Sequence, residues 1–243
     1  MGHCLMMRKG KVHTAPVTGV LASSLAVGST VKLMEGGAAV EYLVVNQGKP
    51  SDLYDDSCDG TWLLRKDIHS KRAWNSSDVN KYETSGIYIW LNGDFFKNSL
   101  GTAERAVIKQ VKIPYRKNGG SGGTDQSGAN GLSCKMFLLS YYELGWTTSD
   151  NSYFPVDGAK LAYFESGTET PANNKRIANF GGSATYWWLR SPITNNTSSA
   201  GYVRSDGSWN GRSASNQHGI RPALVLPSNA LFDETTKLLN GVK

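Results

Sequence analysis

Tyr186-Trp187-Trp188-Leu189-Arg190-Ser191-Pro192 and Gly219-Ile220-Arg221-Pro222-Ala223-Leu224-Val225-Leu226-Pro227 are the two stretches on which the fold turns. Both are aromatic or aliphatic and short, which is the pattern of core strands. Trp187 and Trp188, as neighbours on a strand, take opposite faces. Arg190 and Arg221 stand ready to anchor loop carbonyls or acids, so Trp187, Trp188, Arg190, Arg221 and Pro222 are assigned to the scaffold. Between the stretches lie residues 193–218, of which twelve in 26 are Ser, Thr or Asn. Such a segment has little to bury. Polar chain pinned at both ends by core strands is either a tolerant surface loop or the place where binding residues sit on a rigid support.

Outward from this region, short strands are predicted at 184–189, 200–203 and 220–226. Upstream, 30–33 and 40–45 flank a Glu-Gly-Gly turn and read as a hairpin, with a further strand at 60–64. Helices are expected at 76–82, 87–92 and 101–108, with Thr102 as a cap for the last. Val111-Lys112-Ile113-Pro114-Tyr115 is a strand closed by proline, and 118–131, with its run of glycines, an exposed flexible loop. Beyond it come a buried strand at 135–139 and short helices at 140–144 and 157–164. This is an α+β architecture, loop-rich with short strands and few helices. Residues 1–26 read as an N-terminal tail or adaptor, 27–227 as the domain and 228–243 as a C-terminal tail.

The chain has 243 residues, enough to bury a core without staples, and 27 glycines, in keeping with a turn-heavy fold. Its net charge of +6 does not point to nucleic acid. Arg8, Lys9, Lys11, Lys237 and Lys243 sit at the ends, and the other basic residues form no stripe or aromatic-interleaved patch. Cys4, Cys58 and Cys134 are far apart and odd in number, so free thiols are expected rather than a disulfide framework or a zinc site. No secretory signal or membrane span is expected.

Catalytic motifs are absent from the sequence. His3 and His13 lie in the expected tail, His69 in a charged segment read as a surface helix, and His218 in the polar stretch. No Gly-x-Ser-x-Gly or His-Glu-x-x-His occurs. The glycine-rich run lacks the Lys of a phosphate loop. Asp55, Asp56, Asp59, Asp150, Asn151 and Asp157 offer oxygen ligands without a calcium-loop pattern, so turn formation is the expected role. No metal and no cofactor are expected.

Trp187-Trp188-Leu189-Arg190-Ser191-Pro192, with Ala200-Gly201-Tyr202-Val203, Ser205-Asp206-Gly207-Ser208 and Gly219-Ile220-Arg221-Pro222-Ala223-Leu224, resembles a domain family of gut bacteria and their phages with a C-type-lectin-type fold. That family is distantly similar to the formylglycine-generating enzyme and to the variable proteins of diversity-generating retroelements. The likeness spans about residues 27–227. In such variable proteins, adenine-directed mutagenesis of Asn codons never yields Trp, Gln or Lys; residues 193–218 contain no Lys, and Trp209 and Gln217 would be fixed. The resemblance implies a non-enzymatic binding protein. Its face would comprise Tyr202, Arg204, Ser208, Asn210, Arg212, Ser213, Ser215, Asn216 and His218, edged by Ile193, Asn195, Asn196, Ser198 and Ser199. Tyr, Ser, Asn and Arg are the residues antibody paratopes favour, and Tyr202, Trp209 and Arg204 or Arg212 are the expected hot spots. The expected partner is a protein or carbohydrate on a cell or virion surface, with the N-terminal region serving attachment or oligomer contacts and the protein on a phage tail or bacterial surface. The other reading is an invariant structural subunit of such an assembly. An enzyme of the formylglycine-generating type ranks below both, because Cys58 and Cys134 do not reproduce its cysteine pair. Calcium-bridged sugar binding is not implied, since the lectin motifs for it are missing.

Overall fold

A computed structural model describes residues 18–146 and 153–243. His3, Cys4, His13, Asp150 and Asn151 lie outside the described residues, as does most of the expected N-terminal tail. The strands in chain order are β1 (Val20–Leu21), β2 (Thr30–Glu35), β3 (Ala38–Gln47), β4 (Thr61–Arg65), β5 (Ser70–Ala73), β6 (Val111–Ile113), β7 (Tyr115–Lys117), β8 (Thr124–Gln126), β9 (Leu132–Cys134), β10 (Asn179–Phe180), β11 (Ser183–Ala184), β12 (Trp187–Pro192), β13 (Ser199–Val203), β14 (Trp209–Ser213), β15 (Gln217–Ile220), β16 (Ala223–Leu226), β17 (Ala230–Phe232) and β18 (Leu239–Val242). The α-helices are α1 (Gly86–Trp90), which runs on into a π-helical stretch Leu91–Ser99, α2 (Thr102–Val107) and α3 (Thr170–Asn174). The fold is α+β, with sheets dominant and long irregular connections.

Two sheets carry the core. One has the order β16-β4-β3-β2 and the other β14-β13-β12-β15-β5. The Glu-Gly-Gly hairpin forms as its sequence predicts, with Thr30 opposite Leu43 and Glu35 opposite Ala38. Gly36 and Gly37 both take positive φ at its tip, a conformation glycine adopts without steric cost. In the second sheet β12 is central: antiparallel to β13, parallel to β15 and buried along its whole length. The apolar run of this strand follows from being covered on both faces. Trp187 and Trp188 have no exposed surface, and their indole N–H groups donate to the carbonyls of Arg176 (2.9 Å) and Arg72 (3.0 Å).

The two anchoring arginines do what their positions suggest. Arg190 spans Glu143 and the carbonyls of Pro114, Leu138 and Asp157. Arg221 donates to the carbonyls of Arg65 and Lys66 and lies over the Trp187 ring at 5.0 Å. It also separates β15 from β16, so the strand expected over 220–226 is two strands in different sheets.

Several expectations are corrected. No helix forms at 76–82, because its short polar side chains bond elsewhere: Asp78 reaches Ser213 and Ser215, and Asn80 reaches the turn after β12. Only a 3-10 turn, Tyr82–Thr84, follows. No helix forms at 157–164, where Gly158 is pressed so close to Ser140 that a Cβ would stand 2.3 Å from its Oγ. At 135–139 there is no ladder, only a bridge between Phe137 and Ala223. Gly101, not Thr102, is the N-cap of α2. The stretch 118–131 is not a free loop: β8 pairs with β7, and Gly119 and Gly120 are buried. His69 is not on a surface helix; its ring packs against Trp90 and Phe95 with Nε2 3.7 Å from Glu35. The segments read as tails also join the fold. β1 pairs with β17 and β17 with β18, and Ala22 and Phe232 belong to the core.

Candidate binding face

Residues 193–218 build much of the five-stranded sheet: the strand expected at 200–203 forms as β13, and the polar chain around it supplies β14 and the start of β15. A tight turn links β12 to β13, a second turn at 204–208 links β13 to β14, and a third leads into β15. β14 is the sheet edge, and its burial alternates: Trp209, Gly211 and Ser213 are half-buried, Asn210 and Arg212 exposed. Period-two side-chain geometry therefore sets Asn210 and Arg212 on one face. Opposite them in register on β13 are Tyr202 and Ala200, and Tyr202 is in turn opposite Trp188.

This register ranks the face by depth. Tyr202 is only 6% exposed, packed among Tyr186, Trp188 and His218 with ring centroids 4.5–6.0 Å away. It is a buried base for the face and not a projecting contact, which corrects its place among the expected hot spots. Trp209 is a support: its ring meets Tyr141, Tyr153 and Phe154 on the reverse side. Ile193, also 6% exposed, forms the floor of a depression of about 400 Å³ shared with Tyr153, Asn195, Ser199 and Asn210. Arg204, Asn210, Arg212, Asn195 and Ser215 are exposed; Ser198, Ser199, Ser208, Asn216 and His218 are half-buried.

Some of the polar residues are engaged internally. The Asn196 side-chain oxygen accepts from the N–H groups of Ser198 (3.0 Å) and Ser199 (2.8 Å), closing its own turn. Ser213 donates to Asp78, which also accepts the Ser215 N–H. Asp206 accepts from the Ser208 N–H and hydroxyl. These bonds hold the carboxyls of Asp78 and Asp206 below their ordinary range.

Sequence reasoning missed the residue that fixes the first turn. Asn80, 1% exposed, donates to the carbonyls of Ser199 (2.8 Å) and Asn196 (3.1 Å) and accepts from the Gly120 N–H (3.0 Å). It ties the glycine run to the turn, and a Cβ on Gly120 would stand 1.9 Å from the Ile193 carbonyl oxygen. No local pattern marks Asn80, since its partners are about 40 and 120 residues away in the chain. Also missed was a second depression of about 480 Å³ at the end of the sheet, walled by Lys71, Thr185, Tyr186, Ser205, Gln217 and His218. His218 packs at 4.4 Å from Trp188, and burial together with the Arg212 and Lys71 charges lowers it to about 4, so the imidazole is neutral at pH 7.

Beneath the face lies a buried polar knot. Glu143 pairs with Arg190, accepts from the Tyr54 hydroxyl at 2.8 Å and takes the Ser140 N–H. Asp157 accepts from Ser191 at 3.0 Å, and burial raises its carboxyl to about 7. The knot is sealed from solvent; Glu143 and Arg190 are fully bonded within it, while the second Asp157 carboxyl oxygen is buried with no hydrogen-bond partner among the described residues. The thiols of Cys58 and Cys134 are buried and free, pushed up to about 12 and beyond the ordinary range by desolvation; both are poor nucleophiles. Among the described residues no cluster of three metal-ligating side chains occurs, and no helix is long and apolar enough to cross a membrane.

The fold and this face together define an α+β protein that mounts a polar edge of a sheet on an aromatic base. The chain belongs to a family described as a domain of unknown function, DUF6273, whose model matches residues 59–228. No curated protein and no solved structure matches it.

Proposed function

We propose that the protein is a non-enzymatic ligand-binding module of C-type-lectin-type fold, a diversity-generating-retroelement target displayed on a phage tail or bacterial surface. Its ligand is a protein or carbohydrate on another cell or virion. The observation that carries this reading is the edge strand β14, whose Asn210 and Arg212 project from a backbone held in register by buried partners. Exchanging such side chains leaves the core untouched, which is what a diversified surface needs. The mixture of Arg, Asn and Ser over buried aromatics suits adaptable recognition.

The second reading, an invariant structural subunit, is favoured by one observation: Asn196, Ser208 and Ser213 spend side-chain bonds within the chain. Capture of bacterial cells and of immobilised saccharides by the purified protein separates the two. The binding reading expects capture that falls at least about tenfold in an Asn210→Ala/Arg212→Ala variant of unchanged melting temperature. No capture by the intact protein, or capture indifferent to both substitutions, favours the structural subunit.

A further inference from the structure

The depression at the end of the five-stranded sheet lies mostly beside, not within, residues 193–218. Lys71 on β5 is the one formally charged residue among those that line it. Its ammonium group sits 5.3 Å over the Phe180 ring and makes no ion pair among the described residues. The charges of Lys71 and Arg212 both bear on the His218 ring, and those of Arg204 and Arg212 on Tyr202. Asp206 bears on Tyr202 with the opposite sign, its carboxylate held ionised by bonds from Ser208, but it does not line the hollow. Among the described residues, the wall of the hollow thus holds one unpaired cation and no carboxylate. A half-exposed aromatic ring, Tyr186, forms one side, and Thr185, Ser205 and Gln217 supply hydroxyl and amide groups. A volume of about 480 Å³ admits a small polar ring with its substituents.

We propose that this depression binds a carboxylate-bearing sugar, with Lys71 contacting the carboxylate and Tyr186 giving the ring an aromatic wall. The assignment rests on the ligand-binding reading above and adds to it the ligand class and a fixed subsite. A sugar fits better than an acidic side chain because the wall is rich in hydroxyl and amide groups and has an aromatic side, whereas a lone carboxylate would need only the cation. Lys71, Thr185 and Tyr186 lie outside residues 193–218, so these contacts would persist while the neighbouring face varies.

Ligand-observed NMR and titration calorimetry on the full chain, with glucuronate, N-acetylneuraminate, glucose and a short glutamate-containing peptide as probes, test this. The expected result is binding of at least one acidic sugar, with glucose and the peptide weaker. Lys71→Met should weaken it at least about tenfold, Lys71→Arg should restore most of it, and Tyr186→Leu, which keeps apolar cover over Tyr202 and His218, should weaken it in a protein that stays folded. Equal binding of glucose, preference for the peptide, indifference to Lys71→Met or no binding of either acidic sugar overturns the assignment. Cell or saccharide capture that depends on Asn210 and Arg212 but not on Lys71 would sink the subsite while leaving the binding reading intact; absence of all capture would sink both.

Discussion

The Arg190 guanidinium and the Glu143 carboxylate meet in two parallel hydrogen bonds of 2.6 and 2.7 Å, and neither side chain has any exposed surface. Glu143 lies in a 3-10 turn (Tyr142–Leu144) and Arg190 in the central strand, so the pair locks an irregular segment to the sheet that carries the face. Removing Arg190 leaves a carboxylate buried and unpaired. We expect Arg190→Met to cost about 3–5 kcal/mol in denaturant unfolding. Adding Glu143→Leu should recover part of this and not all, because the carbonyls of Pro114, Leu138 and Asp157 still lose their donor.

Asp157 makes stability depend on pH. Burial raises its carboxyl from the ordinary 3.8 to about 7, so folding takes up a proton between those values. This contribution is fully present below about pH 4 and is lost as pH rises through 7. His218 has the opposite sign, since burial and nearby cations lower it from 6.5 to about 4: its contribution is present above pH 6.5 and lost as pH falls towards 4. The melting temperature of Asp157→Asn minus that of the natural chain should therefore rise between pH 5 and 8. A flat or falling difference contradicts the buried-acid account.

Gly120 is held by close approach, not by turn conformation. Its missing Cβ would stand 1.9 and 2.3 Å from the carbonyl oxygens of Ile193 and Asn196, atoms the backbone cannot swing aside. Gly120→Ala should destabilise by more than the roughly 1 kcal/mol of a typical substitution. Gly122→Ala, with open space around it but φ +75°, should cost less; melting curves of the two variants make the comparison.

The aromatic base and the rim should respond differently. Trp188→Ala and Tyr202→Ala each remove a buried ring, and Trp188→Ala should cost about 3–5 kcal/mol. Arg212→Ala and Asn210→Ala, on exposed edge positions, should stay within about 0.5 kcal/mol of the natural chain. Thermal unfolding reads both; a soluble Trp188→Ala protein of unaltered stability contradicts the packing described.

The core strands were legible because local chemistry sets them: the Glu-Gly-Gly hairpin, the tryptophan pair and the two arginines all behave as their sequence context suggests. Within the polar stretch only β13 was legible, from its apolar run; β14 and the start of β15 were not, because strands of a half-exposed sheet edge carry no long apolar run and take their register from Trp188, Tyr202 and their partners. Asn80, Asp78 and Lys71 were not legible at all. Each acts on residues brought near only by the topology that joins β5 and its flanks to β15 and β13.

The most direct test of a diversified face on a fixed scaffold is to sequence the encoding locus across a population and search nearby DNA for a near-copy differing at adenines. The account predicts substitutions at the exposed positions Asn195, Arg204, Asn210, Arg212 and Ser215, with Trp187, Trp188, Arg190, Trp209 and Arg221 unchanged. A uniform stretch from residue 193 to 218 with no nearby copy would contradict it.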